Sequence, residues 1–224
     1  MLLPKRLLLL ATKREKGTIY LRASSRINYG LAGAVLMELA SKDKVDIRKK
    51  KLIVVDSKPT GTAYLDYALK RITQAKSNKK AKYWVQKLGN NKLRKQVYRD
   101  LVDEDMVKDD SFHFLGIFPI RRYPIENVEA VDQLVRDVQK AVFTEEIAQV
   151  EENRTVLLLG LLNTCQLTSI LFTSEDKKEA KKRIKAIMES NVLANSVSEA
   201  VQAVDSAVVT AVAATSAATS SSSS

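Results

Sequence analysis

The stretch "YGLAGAVLMELA", residues 29–40, poses the question that decides the fold. It sets Gly30, Ala32, Gly33 and Ala34 among Leu31, Val35, Leu36, Met37 and Leu39, so it belongs in a membrane, a core or a binding pocket. A helix crosses a bilayer with about 20 predominantly apolar residues. This run is shorter, bracketed by Arg26 and Asn28 on one side and Lys42, Asp43 and Lys44 on the other. Length removes the membrane-spanning reading and leaves a core or a pocket.

The rest of the chain supports a mainly α-helical single domain. Its 224 residues are 45% hydrophobic, enough to bury a sizeable core, and with Gly 7 and Pro 4 it lacks the turn residues of a many-stranded sandwich. The start, "MLLPKRLLLLATKREKG", has a short apolar run, Leu7 to Ala11, with no small-residue cleavage site after it, and reads as part of the mature fold. The formal charge of +11 is unevenly placed: residues 1–100 hold 25 Lys and Arg against 7 Asp and Glu, or +18, and the remainder 12 against 19, or −7. A basic half of this size attracts phosphate-rich partners, whether an anionic leaflet, a phosphoinositide or a nucleic acid.

Along the chain, "VDIRKKKLIVVDS" suits one or two short strands around a basic cluster. "PTGTAYLDYALKRI" is an amphipathic helix with Thr60 or Thr62 as cap. "SNKKAKYWVQKLGNN" gives a shorter helix burying Trp84, Val85 and Leu88 and ending at Gly89 in a left-handed conformation. The next helix starts near Lys92, with Leu93, Val97, Leu101 and Met106 inward and Lys92, Arg94, Lys95 and Arg99 forming a basic face. "SFHFLGIFPIRRYPIEN" reads as a β-hairpin turning through Pro119, Ile120, Arg121 and Arg122. Val128 to Val142 is amphipathic, and residues 154–172 read as one central core helix, since Asn163, Thr164, Gln166, Thr168 and Ser169 argue against a membrane span. Ser174 is placed to cap "EDKKEAKKRIKAIMES", Val197 to Ala214 reads as a last helix, and the Ser-rich end, residues 215–224, as a disordered tail.

No catalytic constellation emerges, and the chain is read as a non-enzyme without cofactor or metal. His113, the single histidine, alternates with Phe112 and Phe114 in a strand and reads as structural. Cys165, the single cysteine, falls in the apolar segment as an inert buried thiol, and no phosphate-cradling loop or zinc spacing is present.

The succession "LLLLATKREKG", "GLAGAVLMELA", "KPTGTAYLDYALKRI", "YWVQKLG", "RDLVDEDMV", the hairpin with Tyr123 and Pro124, and "RTVLLLGLL" resembles the Golgi phosphoprotein 3 family over roughly residues 3–214. The resemblance implies a helical globule over residues 1–214, with central apolar helices, surrounding amphipathic helices and a protruding β-hairpin, and makes "GLAGAVLMELA" a core helix. It implies a peripheral protein on the cytosolic face of Golgi membranes, exchanging with the cytosol, that binds phosphatidylinositol 4-phosphate and helps retain glycosyltransferases in vesicle-mediated transport. Glycosyltransferase tails and coat proteins are the implied protein partners.

The family's headgroup pocket uses a tryptophan and three arginines. The corresponding positions here are Ala23, Ala32, Asn91 and Arg94, of which Arg94 alone matches. Arg22, Arg26, Lys92 and Lys95 lie beside those positions and are candidates to supply charge to a phosphate; lysine gives a point charge where arginine gives a planar bidentate donor set. The resemblance makes the hairpin a membrane contact or a homo-oligomer contact, with Ile120 and Tyr123 placed to dip into the interface and Arg121 and Arg122 at headgroup depth. The competing readings are a lipid-independent protein scaffold of the same fold and a basic nucleic-acid-binding module. The second is the weaker, because no stacking-aromatic signature accompanies the lysines.

Overall fold

Pro4 sits in the first turn of α1 (Leu3–Ala11), where its missing N–H costs no helical hydrogen bond. Leu7, Leu8, Leu9 and Ala11 are buried. The structure, a computed structural model, describes residues 1–49, 51–114, 118–143, 150–173 and 175–190. The quoted stretch forms α2 (Ile27–Ser41), and Leu31, Ala32, Ala34, Val35 and Leu39 within it have no exposed surface. Helix α2 packs against α1 and against α3 (Ala63–Thr73), α4 (Ala81–Leu88), α5 (Asn91–Asp103) and α7 (Val150–Thr164). It is the hub of a helical globule, and the core reading holds. Small residues make the packing possible: a Cβ at Gly30 would collide with the Cys165 sulfur, so the glycine lets α2 meet the end of α7.

Among the described residues, two charged side chains lie inside this core. Glu38, fully buried on α2, accepts the Leu3 backbone N–H at 2.7 Å through one oxygen and the Arg154 guanidinium at 3.0 Å through the other. A carboxylate from α2 thus serves the amino end of α1, which has no capping side chain of its own. Lys5, 6% exposed, reaches Asp100 at 3.1 Å and Glu104 at 2.6 Å on and just beyond α5.

The Tyr64 hydroxyl is buried with no hydrogen-bond partner among the described residues. Burial, and then the negative charges of Asp100, Glu38 and Glu104, push its pKa up, so it stays protonated. Tyr64→Phe is therefore expected to change stability by less than about 1 kcal/mol, because no bond is lost and an unsatisfied group is removed. A chemical-denaturation loss above about 2 kcal/mol would show the hydroxyl engaged.

The basic cluster folds as the antiparallel pair β1 (Val45–Arg48) and β2 (Lys51–Val54), with Arg48 opposite Lys51. Before α3, Thr60 does the local bonding: its hydroxyl donates to Asp66 at 2.7 Å and accepts the Thr62 N–H at 3.1 Å, while Thr62, the residue at the cap position, makes no side-chain cap. Gly89 ends α4 but with φ −71°, ψ 69°, which corrects the left-handed reading. Glycine is needed there for space, since a Cβ would approach the Tyr29 ring to 2.5 Å and the Val85 carbonyl to 2.7 Å. Asn90 caps α5, its side-chain oxygen accepting the Lys92 and Leu93 N–H groups at 3.0 and 3.1 Å.

The second hairpin pairs β3 (Phe112–Phe114) with β4 (Phe118–Ile120). The pairing of His113 with Pro119 and Phe112 with Ile120 puts Pro119 and Ile120 in a strand, so the hairpin does not turn through residues 119–122 as the sequence reading had it. Helix α6 (Val128–Phe143) buries Val131, Leu134, Val138 and Val142. Residues 154–172 are not one helix: α7 stops at Thr164, Gln166 adopts φ 59°, and α8 (Thr168–Leu171) follows as a separate turn. The polar residues that argued against a membrane span mark the break. Before α9 (Lys177–Ser190) the Thr173 carbonyl accepts from the Lys177 N–H at 3.0 Å. Ser174, the Val197 to Ala214 helix and the Ser-rich tail lie outside the described residues. No helix among the described residues is long and apolar enough to cross a membrane.

Candidate functional site

Five basic side chains were candidates for holding a phosphate, and the structure divides them. A one-turn 3-10 helix, Leu21–Ala23, leads into the amino end of α2, with Ala23 buried as its anchor. From this turn Arg22 donates to the Ser169 hydroxyl on α8, and Arg26 donates to the Thr164 carbonyl at 3.2 Å. Both therefore bind the joint between α7 and α8, and Arg26 satisfies a carbonyl at the end of α7. The local sequence gives no sign of this, because their partners lie 147 and 138 residues away.

The other three sit on the first turns of α5. Asn28 on α2 donates to Asn91 on α5 at 3.2 Å, which ties the amino ends of these two helices together. Asn91 thus joins the helices. Lys92 is exposed and lies over the Tyr67 ring at 4.8 Å, a cation–π contact with α3. Lys95 is exposed, and Arg94 is half-buried and makes no hydrogen bond or ion pair among the described residues. Burial pushes the Tyr98 hydroxyl up, the hydrogen bond with Thr12 works against that rise, and the positive charge of Arg94, one turn away, does the same. The rim between α2 and α5 therefore contains one uncommitted guanidinium flanked by two lysines, with Arg22 and Arg26 beyond it already engaged.

Sequence reasoning passed over Leu21, which is 83% exposed beside Arg22 and is the most open of the large apolar side chains described.

The hairpin candidates also separate. Arg121 is exposed and Ile120 is half-buried. Arg122 donates to the Lys16 carbonyl at 3.2 Å and lies 3.7 Å from Asp110. Tyr123 is 7% exposed, its ring stacked on Tyr98 at 3.9 Å, and its N–H donates to the Gly17 carbonyl at 2.8 Å. The expectation that Tyr123 dips into a bilayer is therefore corrected: Arg122 and Tyr123 fasten the base of the hairpin to the 13–17 loop. Phe112, 44% exposed, is an apolar side chain that this hairpin does present.

Cys165 is fully buried, and no group of three or more His, Cys, Asp and Glu among the described residues is arranged to hold a metal. His113 lies in β3 opposite Pro119.

Comparison with known proteins fits this architecture. The family model described as Golgi phosphoprotein 3 (GPP34) matches residues 3–204. A curated relative, vacuolar protein sorting-associated protein 74 of Schizosaccharomyces pombe, is 27% identical over 173 residues, 67% of this chain and 50% of the relative. The chain thus spans about half the length of this relative.

Proposed function

The chain belongs to the Golgi phosphoprotein 3 family, and from that premise we propose that it is a peripheral adaptor of Golgi membranes that binds phosphatidylinositol 4-phosphate through the α2–α5 rim. The observation that carries the reading is Arg94, a half-buried guanidinium without a hydrogen-bond or ion-pair partner among the described residues, between the exposed Lys92 and Lys95 on the first turns of α5. A planar donor set with nothing to bind, in a field of like charge, is arranged for a phosphate. Arg22 and Arg26 act mainly by fixing the α7–α8 joint and by adding positive potential.

The name of the relative speaks of vacuolar protein sorting, and the proposal extends a sorting role to this chain: retention of Golgi glycosyltransferases, with their tails or coat proteins as partners. Orientation toward the cytosolic leaflet belongs to the same reading, as does self-association through the Phe112 hairpin. The reading assigns the chain no reaction.

The test is co-flotation with vesicles carrying phosphatidylinositol 4-phosphate, another phosphoinositide or phosphatidylserine at matched charge. The wild type is expected to prefer the 4-phosphate, and Arg94→Ala to lower that binding about tenfold or more, the usual scale for a charge-assisted hydrogen bond. Equal binding to all three vesicle types, unchanged in Arg94→Ala, would reject a built headgroup site. Absence of binding to any vesicle would leave the lipid-independent scaffold.

A further inference from the structure

The rim uses only part of the basic half of the chain. A second concentration of charge gathers where the first hairpin meets the amino end of α4. Arg48 and Lys51 face each other across the last pair of the ladder, and Lys49, in the turn between them at φ 50°, is exposed. The Leu52 N–H donates to the Lys79 carbonyl at 2.9 Å and Lys51 bridges to Lys80, so the strand end and the residues before α4 lie side by side. Lys49, Lys51, Lys79 and Lys80 are all exposed, and none is in an ion pair among the described residues. The local acid, Asp46, is engaged by Arg48 at 2.9 Å.

This patch continues toward the rim. Tyr83, 42% exposed and under the Lys79 ammonium at 5.9 Å, follows Lys80 by three residues, and the exposed Lys87 follows by seven, so all three share the outer face of α4. Helix α4 then ends at Gly89 against Tyr29 of α2, on the rim itself. Eight residues of helix separate the two ends by about 12 Å, a span that several lipid headgroups of one leaflet cover together. A tyrosine with lysines along an exposed helix face is a composition suited to the headgroup zone.

We infer that the β1–β2 tip and the outer face of α4 form a second contact for anionic lipid headgroups, read by charge and not by headgroup identity. This inference rests on the membrane reading above and assigns the two basic surfaces different tasks: selection at the α2–α5 rim, and adhesion to bulk anionic lipid at the hairpin tip.

The experiment compares the wild type, Arg94→Ala, the triple variant Lys49→Asn/Lys51→Gln/Lys80→Gln, and a control that removes the same charge from exposed α9 sites, Lys178→Gln/Lys181→Gln/Lys182→Gln. Each is titrated with phosphatidylcholine vesicles containing phosphatidylserine, with or without phosphatidylinositol 4-phosphate, and with a single-stranded RNA homopolymer. Each lysine near an anionic surface contributes about fivefold, so the tip variant is expected to bind phosphatidylserine vesicles about 100-fold more weakly while keeping its 4-phosphate preference. Arg94→Ala should show the opposite pattern. Tip-variant binding equal to wild type, or weakened no more than the α9 control, would overturn the inference even with the Arg94 effect intact. So would a tip variant that loses RNA binding alone. A wild type that binds no vesicle would overturn both readings, and loss of 4-phosphate preference alone would remove only the first.

Discussion

Glu38→Ala is expected to destabilise the protein by about 3–5 kcal/mol, the cost of breaking a buried ion pair from one side. The carboxylate has no exposed surface and satisfies two donors, the Leu3 N–H at 2.7 Å and the Arg154 guanidinium at 3.0 Å. Arg154 can turn toward solvent, since its side chain is 35% exposed, but the Leu3 amide cannot. The loss should therefore centre on the amino end of α1, where hydrogen exchange would accelerate most. For a domain of this size the midpoint of thermal unfolding should fall by on the order of 10 °C. Glu38→Gln keeps one acceptor and should lose less. A midpoint shift under about 2 °C in Glu38→Ala would show that the buried carboxylate is not holding the two helices.

Gly17→Ala is the second large effect, expected at about 2–5 kcal/mol. Gly17 has φ +60°, a conformation that costs an L side chain energy, and an added Cβ would run into the backbone of Tyr123 and Pro124. That backbone has little freedom to withdraw. The Tyr123 N–H donates to the Gly17 carbonyl at 2.8 Å and Ile125 N–H to the Arg14 carbonyl at 2.9 Å, while the Tyr123 ring is stacked on Tyr98. The variant should lose the Tyr98–Tyr123 stacking, visible as a change in near-ultraviolet circular dichroism, together with stability in chemical denaturation. An unchanged tyrosine signal at wild-type stability would mean that the loop can shift without consequence.

What could be read from the sequence was what short-range pattern controls. Length took "GLAGAVLMELA" out of the membrane and the family resemblance made it a core helix, while the short apolar runs either side of Arg48 gave a strand pair. The break at Gln166 was hidden inside an apolar run, since periodicity registers burial and not a single positive φ. The second hairpin was misregistered because Pro119 looks like a turn residue, yet Pro can sit in a strand where no ladder N–H is required of it. Lys5 and Glu38 were unreadable as core residues, because a charge becomes buriable only when its partner arrives from a distant element. The candidate site followed the same rule. Arg94 could be named from its position, while the engagement of Arg22 and Arg26 with the α7–α8 joint depends on tertiary contacts no local motif encodes.

The partners of α1 also fix an order of events during synthesis. Leu3 and Lys5 leave the ribosome well ahead of Asp100, Glu104 and Arg154, the groups that complete the ionic contacts beneath that helix. At about 5–20 residues per second, the last of these follows after roughly 7–30 s. Through that interval the leucine-rich first helix has α2 to lean on, and its seat is finished only when α5 and α7 arrive.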